Sequence, residues 1–419
     1  MSFLDRFMKP RASVEVQSIP EELAPEQAGA PQRRILLVGD DFDWLARHNE
    51  IAQRRIIRAQ NGVDALRVAS APRLDGVVVS FRDVKQSLEA LNVISASFPT
   101  LSYFLRADSA EIKGGTISHP VLQRTQSREV LSDTLQTLFA LADWRRNQSL
   151  SDVYICIRIL PALPSLYSQI TAALQSGDFS LEAIADLVAK EPAVGAKLLQ
   201  FVNSPLFSLN QKVTSIAEAT VFFGLDRLRA LVLSTSMFAQ FDASKCRSFS
   251  LEQFISNSDQ IAMWASAIAV GETGDKQLGE MAFTGGLLHN FGVLLLAANL
   301  PESYDQILRI AKDQRISIAR VEREAYQISH ADLAGYILAS WGLPFAIVNA
   351  VGFYDLPSRS EDTSFSSLTA VHAATVIDTF ARTGVLDFDR GYIERLNFSA
   401  KLEEWCKRLT GKVWVRDDA

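Results

Sequence analysis

Two hydrophobic patterns divide this chain, and the place where one gives way to the other constrains the fold more than any single motif. Before about residue 145 the apolar residues come in short continuous runs. Ile35-Leu36-Leu37-Val38 is closed by Gly39-Asp40-Asp41, and Gly76-Val77-Val78-Val79 by Ser80. Runs of this kind have no polar face, so they read as strands buried on both sides of a parallel sheet. Arg55 to Ala59, Leu101 to Leu105 and Thr116 to Ser118 read as further strands. Trp44 to Gln53, Val63 to Ala69 and Val84 to Ser97 read as the helices between them, and Ser127 to Trp144 as a long last helix. Alternating strands and helices predict one small doubly wound α/β domain over 32–146, with helices on both faces of its sheet.

After about residue 150 the strand signals fade and helix punctuation takes over. Ser180 stands as N-cap before Leu181, Ile184, Ala185 and Val188 at helical spacing. Glu191-Pro192 ends that helix and opens another with Pro at its first position. Asn203-Ser204-Pro205 ends the second, and Ser215-x-x-Glu218 is a capping-box pattern that opens a third. Gly224 breaks that helix, and Asp226 is read as the cap of Arg227 to Gln240. Further helices are predicted over 251–270, 279–298, 302–312, 317–327, 331–341, 344–353, 367–382 and 399–409. The fold class is therefore α/β plus all-α. Residues 1–31, with four prolines and no sustained periodicity, read as a flexible leader. Residues 357–419 read as a C-terminal helical extension that packs on the helical domain or mediates dimers.

Composition narrows the function. A net charge of −6 with both signs interspersed gives no electrostatic footprint for nucleic acid. Three cysteines far apart in sequence, Cys156, Cys246 and Cys406, supply neither a disulfide framework nor a structural zinc site. Met1 to Pro10 lacks the apolar stretch of a signal peptide. The most apolar segment, Phe283 to Leu300, is interrupted by His289 and Asn290, which would be costly in lipid, so a buried core helix is expected and no membrane span. A cytoplasmic protein is the expectation.

Two places could carry chemistry. Asp40-Asp41 follows the first strand, at the sheet edge where ligands sit in such folds, and paired carboxylates there suit Mg²⁺. The same acids could instead cap the following helix. In the second region Gly285-Gly286-Leu287-Leu288-His289-Asn290-Phe291-Gly292 sets a histidine in an apolar helix, followed by an amide where a metal site would want a carboxylate. His330, His372 and Asp378 lie on later helices. Each histidine has a plain packing alternative: His289 as a hydrogen-bonded core residue, His330 at a helix start after the N-cap Ser329 with Asp332 completing the cap, and His372 as packing. Gly285-Gly286 is too short for a phosphate loop and suits close helix–helix approach.

The first region resembles a bacterial response-regulator receiver domain, a flavodoxin-like fold. In that family the acid pair after strand one binds Mg²⁺ and an aspartate ending strand three takes a phosphoryl group. A Ser/Thr after strand four and a Lys-Pro after strand five complete the switch. Asp40 and Asp41 match the pair. The acceptor position falls on Ser80, the Lys-Pro becomes His119-Pro120, and the strand-four position falls near Phe104 to Arg106, without Ser or Thr. A serine hydroxyl cannot form an acyl phosphate, so the resemblance implies a pseudo-receiver whose pocket holds Asp40, Asp41, Ser80 and His119.

The second region, over 150–356, is similar to the HDOD (HD-related output domain) family. The resemblance is carried by Leu160-Pro161-Ala162-Leu163-Pro164, Asp186 to Pro192, Leu198 to Pro205, Ser215 to Ala219, Phe223-Gly224-Leu225, Gly285 to Gly292, His330-Ala331-Asp332-x-x-Gly335 and Trp341-Gly342-Leu343-Pro344 in family order. This resemblance implies a helical relative of HD-type metal-dependent phosphohydrolases that lacks their full ligand set, with His289, Asn290, His330 and His372 marking the degenerate site. An HD hydrolase needs several histidines and a bridging Asp to hold metals that activate water. Here Asn290 offers only a neutral carbonyl oxygen, and Gly352-Phe353-Tyr354-Asp355 stands where relatives often carry a His pair. The expectation is a non-catalytic bacterial signalling protein without cofactor that binds protein partners or a nucleotide ligand. The alternative is an HD-type phosphohydrolase with a reduced ligand set.

Overall fold

The structure, a computed structural model, describes residues 34–41, 55–69, 74–98, 101, 103–106, 121–122, 128–176, 180–203 and 212–413. The expected leader, the helix at Trp44 to Gln53, the strand at Thr116 to Ser118 and His119 lie outside the described residues. The chain forms two compact units, Met1–Ala107 and Asp108–Ala419.

The first unit contains β1 (Arg34–Gly39), β2 (Arg55–Ala59), α1 (Gly62–Ala69), β3 (Gly76–Ser80), α2 (Val84–Ser97) and β4 (Tyr103–Arg106). The strands are parallel in the order β2-β1-β3-β4, with Leu36 opposite Val77 and Val78 opposite Phe104. Every residue of β3 is buried, as a run without a polar face requires. Asp83 caps α2 by accepting from Lys85 N, and Ser87 Oγ accepts from the Phe81 amide, which ties the end of β3 to the helix.

The second unit is helical in its described residues, apart from the two-residue strand Val121–Leu122. It opens with α3 (Arg128–Arg146) and α4 (Gln148–Cys156). Next come α5 (Ser165–Ser176), α6 (Leu181–Ala189), α7 (Pro192–Val202), α8 (Ile216–Phe223) and α9 (Leu225–Phe238), which share a core around Leu198, Phe201, Phe223 and Phe283. The long pair α10 (Leu251–Thr273) and α11 (Lys276–Leu288) runs through the middle. A second core joins α3 and α4 to α12 (Phe291–Asn299), α13 (Pro301–Gln314), α14 (Ile318–Tyr326), α15 (His330–Ser340) and α16 (Phe345–Gly352). A third core joins α10 and α11 to α17 (Ser367–Thr383), α18 (Arg390–Arg395) and α19 (Ser399–Thr410), with Tyr392 and Trp405 fully buried. The C-terminal extension thus completes the helical unit's core.

Local signals hold in detail. Ser180 accepts from Ala183 N, Pro192 opens α7, and Ser329 with Asp332 forms a capping box. One cap differs from expectation. Gly224, at φ +83°, both ends α8 and starts α9, so Asp226 lies in the first turn of α9 and is not its cap. Only a residue without Cβ holds that backbone cheaply.

Two larger differences bear on the site. The single helix expected over 279–298 is two, broken at His289-Asn290. The stretch Lys276–Asn299 is apolar and long enough to cross a membrane by composition, yet 83% of its most apolar window is buried inside the protein. The other difference is α3, which was expected to close the α/β domain but packs on α15 and α16. A Cβ on Gly335 or Gly352 would come within 2.6 or 2.5 Å of the Trp144 ring, so two glycines make the slot that this indole fills. Trp144 stacks on Phe353 at 5.3 Å, and its Nε1 donates to Asp332 Oδ1 at 3.4 Å. Local sequence gives no hint of this, because an amphipathic helix can serve either neighbour.

Candidate functional site

The site is built where α11 stops. The last four carbonyls of a helix have no partner within it. Gly286 O is one of these, and His289 Nδ1 donates to it at 2.6 Å. Gly286 itself is required there, since a Cβ would lie 2.7 Å from Ala262 Cα of α10. His289 is 2% exposed, and burial pushes its pKa down to about 3, so the ring is neutral.

His330, at the first turn of α15, is held differently. Its Nδ1 lies 2.6 Å from Glu322 Oε2, and its backbone N–H donates to the same oxygen at 2.8 Å. Tyr304 Oη donates to Glu322 Oε1 at 2.5 Å. Burial works against the charged imidazole, but the Glu322 carboxylate and its hydrogen bond outweigh it, so His330 is held above its ordinary value.

The three histidines of this region converge on Tyr354. Its ring meets His289 edge-on at 5.0 Å, its hydroxyl lies 2.5 Å from His330 Nε2, and its carbonyl accepts from His372 Nδ1 at 2.7 Å. His372 Nε2 accepts from the Asp389 amide at 3.3 Å, and burial lowers the His372 pKa. Burial, with Asp355 and Glu322 nearby, raises Tyr354 well above the ordinary phenol range, so the hydroxyl keeps its proton.

From Tyr354 the hydrogen bonds run on through amides. Tyr354 Oη donates to Asn290 Oδ1 at 3.0 Å, Asn290 Nδ2 to Asn257 Oδ1 at 2.9 Å, and Asn257 Nδ2 to Asp378 Oδ2 at 2.8 Å. Arg382 Nε closes the chain on Asp378 at 2.7 Å. The donor pattern that satisfies every group makes His330 an imidazolium, donating to Glu322 on one side and Tyr354 on the other. A continuous line of polar groups thus joins one buried carboxylate, Glu322, to a second, Asp378.

This arrangement leaves little for a metal ion. Five imidazole nitrogens have hydrogen-bond partners, one on His289 and two on each of His330 and His372. Both ends of the Asn290 amide are engaged. Among the described residues no group of three or more His, Cys, Asp or Glu side chains is placed to hold a metal.

In the first unit Asp40, Asp41 and Ser80 do meet. Ser80 Oγ donates to Asp41 Oδ2 at 3.3 Å, and the Arg82 amide donates to Asp40 Oδ1 at 2.9 Å. Sequence reasoning missed Arg106, whose guanidinium lies 2.6 Å from Asp41 Oδ2. It also missed Glu322, Tyr304 and Asn257 as members of the helical site and gave Tyr354 no role. Glu322 sits among charged neighbours in Arg320-Val321-Glu322-Arg323-Glu324, and nothing local marks it as the buried one.

Fold and site together define an all-helical domain whose histidine cluster is closed by its own hydrogen bonds. The HDOD domain model matches residues 160–357, and this stretch is an HDOD domain. An uncharacterized protein of Treponema pallidum (strain Nichols) is 25% identical over 212 residues, 48% of this chain and 39% of that relative. The chain thus spans well under half the length of this curated relative. A solved structure from Marinobacter aquaeolei VT8, described as a signal transduction protein, has a TM-score of 0.50 and 16% identity, and covers 77% of this chain and 69% of that one. An HDOD domain protein of unknown function from Geobacter sulfurreducens has a TM-score of 0.47 and 17% identity over 67% of this chain and 99% of that one. At 16% identity the likeness to the Marinobacter structure speaks to the fold alone.

Proposed function

We propose that this is a non-catalytic signalling protein of the bacterial cytoplasm, in which a pseudo-receiver and an HDOD domain bind partner proteins or a regulatory ligand. The observation that carries the reading is the closed line from Glu322 through His330, Tyr354, Asn290 and Asn257 to Asp378. A hydrolytic centre of the HD type needs histidine lone pairs and a carboxylate turned toward a metal. Here His330 and His372 spend both ring nitrogens on hydrogen bonds, His289 spends Nδ1, and the carboxylate position is an amide. Support for the pseudo-receiver comes from the parallel strand order β2-β1-β3-β4, which suits a flavodoxin-like sheet, and from Ser80 at the end of β3.

The test is metal content and phosphodiester turnover of the purified full chain. The expected result is substoichiometric transition metal and no cleavage of bis-(p-nitrophenyl) phosphate with added Mn²⁺ or Fe²⁺. Two metals per chain, with turnover lost in His289→Ala, would overturn the reading in favour of a reduced-set phosphohydrolase. Affinity capture from the native cell would then name the partner.

A further inference from the structure

Three neighbouring strands of the first unit end at one edge of the sheet: β1 at Gly39, β3 at Ser80 and β4 at Arg106. Gly39 is opposite Ser80, and Val79 is opposite Leu105. The backbone aims the acid pair over this edge. Gly39 has φ +133°, and a Cβ on it would lie 1.9 Å from Ser80 O, so the chain runs flush against β3. The Asp41 amide then donates to Ser80 O at 3.2 Å. Asp41 is thereby carried across the end of β3 to β4, where its Oδ2 meets the Arg106 guanidinium at 2.6 Å.

We propose that Arg106 is the resident cation of this pocket, holding Asp41 where a divalent ion would otherwise sit, so that the native chain takes up no Mg²⁺ there. Charge supports this. Arg106 places a positive charge directly on Asp41 and so offsets one of the two carboxylates of the pair. β3 ends on Ser80, a hydroxyl, where a third carboxylate would call for a metal. Energetics support it too. A guanidinium stays protonated, is weakly hydrated and is tethered, whereas Mg²⁺ gives up its waters reluctantly and wants several oxygen ligands. A second cation at Asp41 would face the guanidinium as a like charge. The Arg106 side chain is 10% exposed, and Asp41 offsets part of the cost of burying its charge. This inference uses the strand ends alone and stands whether or not the unit is a pseudo-receiver.

The experiment is Mn²⁺ titration of the full chain, followed by the loss of the free-ion signal in electron paramagnetic resonance. The native chain and Arg106→Lys, which both keep the cation, should leave the Mn²⁺ signal undiminished at this site. Arg106→Met should bind Mn²⁺ at least about tenfold more tightly, since a full like charge at contact distance is removed. Adding Asp41→Asn to Arg106→Met should abolish that binding. Mn²⁺ uptake by the native chain that Asp41→Asn removes would overturn the proposal, as would no uptake by folded Arg106→Met. Should Arg106→Met fail to fold, the native and Arg106→Lys chains decide the matter by the same Asp41→Asn control.

Discussion

In the helical unit the Glu322–His330 pair is sealed, with side chains 0% and 4% exposed, whereas Asp41–Arg106 in the sheet unit keeps 18% and 10%. The chemistry differs with the setting. Glu322 accepts from Tyr304, from a backbone amide and from His330, and the hydrogen-bonded line runs on through Tyr354 and two amides to Asp378. Asp41 instead lies at a strand end under a long guanidinium. The two carboxylates are thus balanced differently, Glu322 by a buried hydrogen-bonded line and Asp41 by one tethered cation.

The sharpest way to break this comparison is to remove one partner in the core. Glu322→Ala leaves a buried imidazolium and the Tyr304 hydroxyl without an acceptor and should cost about 3–5 kcal/mol in urea unfolding followed by far-UV circular dichroism. A cost under 1 kcal/mol would mean that His330 is neutral and the line is not held by charge. Trp144→Ala should cost a similar amount, about 3–5 kcal/mol, because it empties the slot at Gly335 and Gly352. That loss must appear in the helical unit even though Trp144 precedes the HDOD match, which starts at residue 160.

Acid should separate the histidines. His289 has a folded pKa of about 3 against an ordinary 6.5, so the unfolded chain binds the proton first. Its contribution is full above pH 6.5 and falls by about 1.4 kcal/mol per unit as pH drops toward 3. His372, also lowered, runs the same way, whereas His330, raised, contributes fully below 6.5 and fades as pH rises through its folded value. Stability should therefore decline from pH 6.5 to 5 in the native chain. His289→Asn, which keeps a donor for Gly286 O, should flatten that decline. An equal slope in the variant would reject the assignment.

At the sheet edge the effect should be smaller. Arg106→Met should cost about 1 kcal/mol, between an exposed pair and a sealed one. A loss as large as that of Glu322→Ala would erase the distinction between edge and core. The smallest effect belongs to Arg382, whose side chain is 61% exposed. Arg382→Ala should change stability by no more than about 0.5 kcal/mol, and a larger loss would extend the sealed line to the surface.

Much of the fold was legible because its signals are local. Continuous runs gave β1 and β3, and Ser180, Pro192, Ser215 and Ser329 marked helix starts through backbone donors within three residues. The capping box at Ser329 and Asp332 needed no tertiary knowledge. The break at His289-Asn290 was not legible, because two polar residues within an apolar helix need not end it, and the His289 bond to the Gly286 carbonyl shows only in the structure. The candidate site was half legible. His289, Asn290, His330 and His372 stood out as polar groups in apolar helices, but nothing local marks Glu322 and Asn257 as their partners.

The sequence by itself therefore determined the α/β-then-helical order of elements, many of the helix starts and the amide at position 290, since each rests on residue type and spacing over a few positions. Only the tertiary structure decided that α3 belongs with the helices, that Tyr354 joins the histidines, and that Arg106 answers Asp41. Those pairings span 188 residues from Trp144 to Asp332, 64 from Asn290 to Tyr354 and 65 from Asp41 to Arg106. Burial and charge neutralisation act through space, and a chain read in order carries no mark of which distant groups will meet.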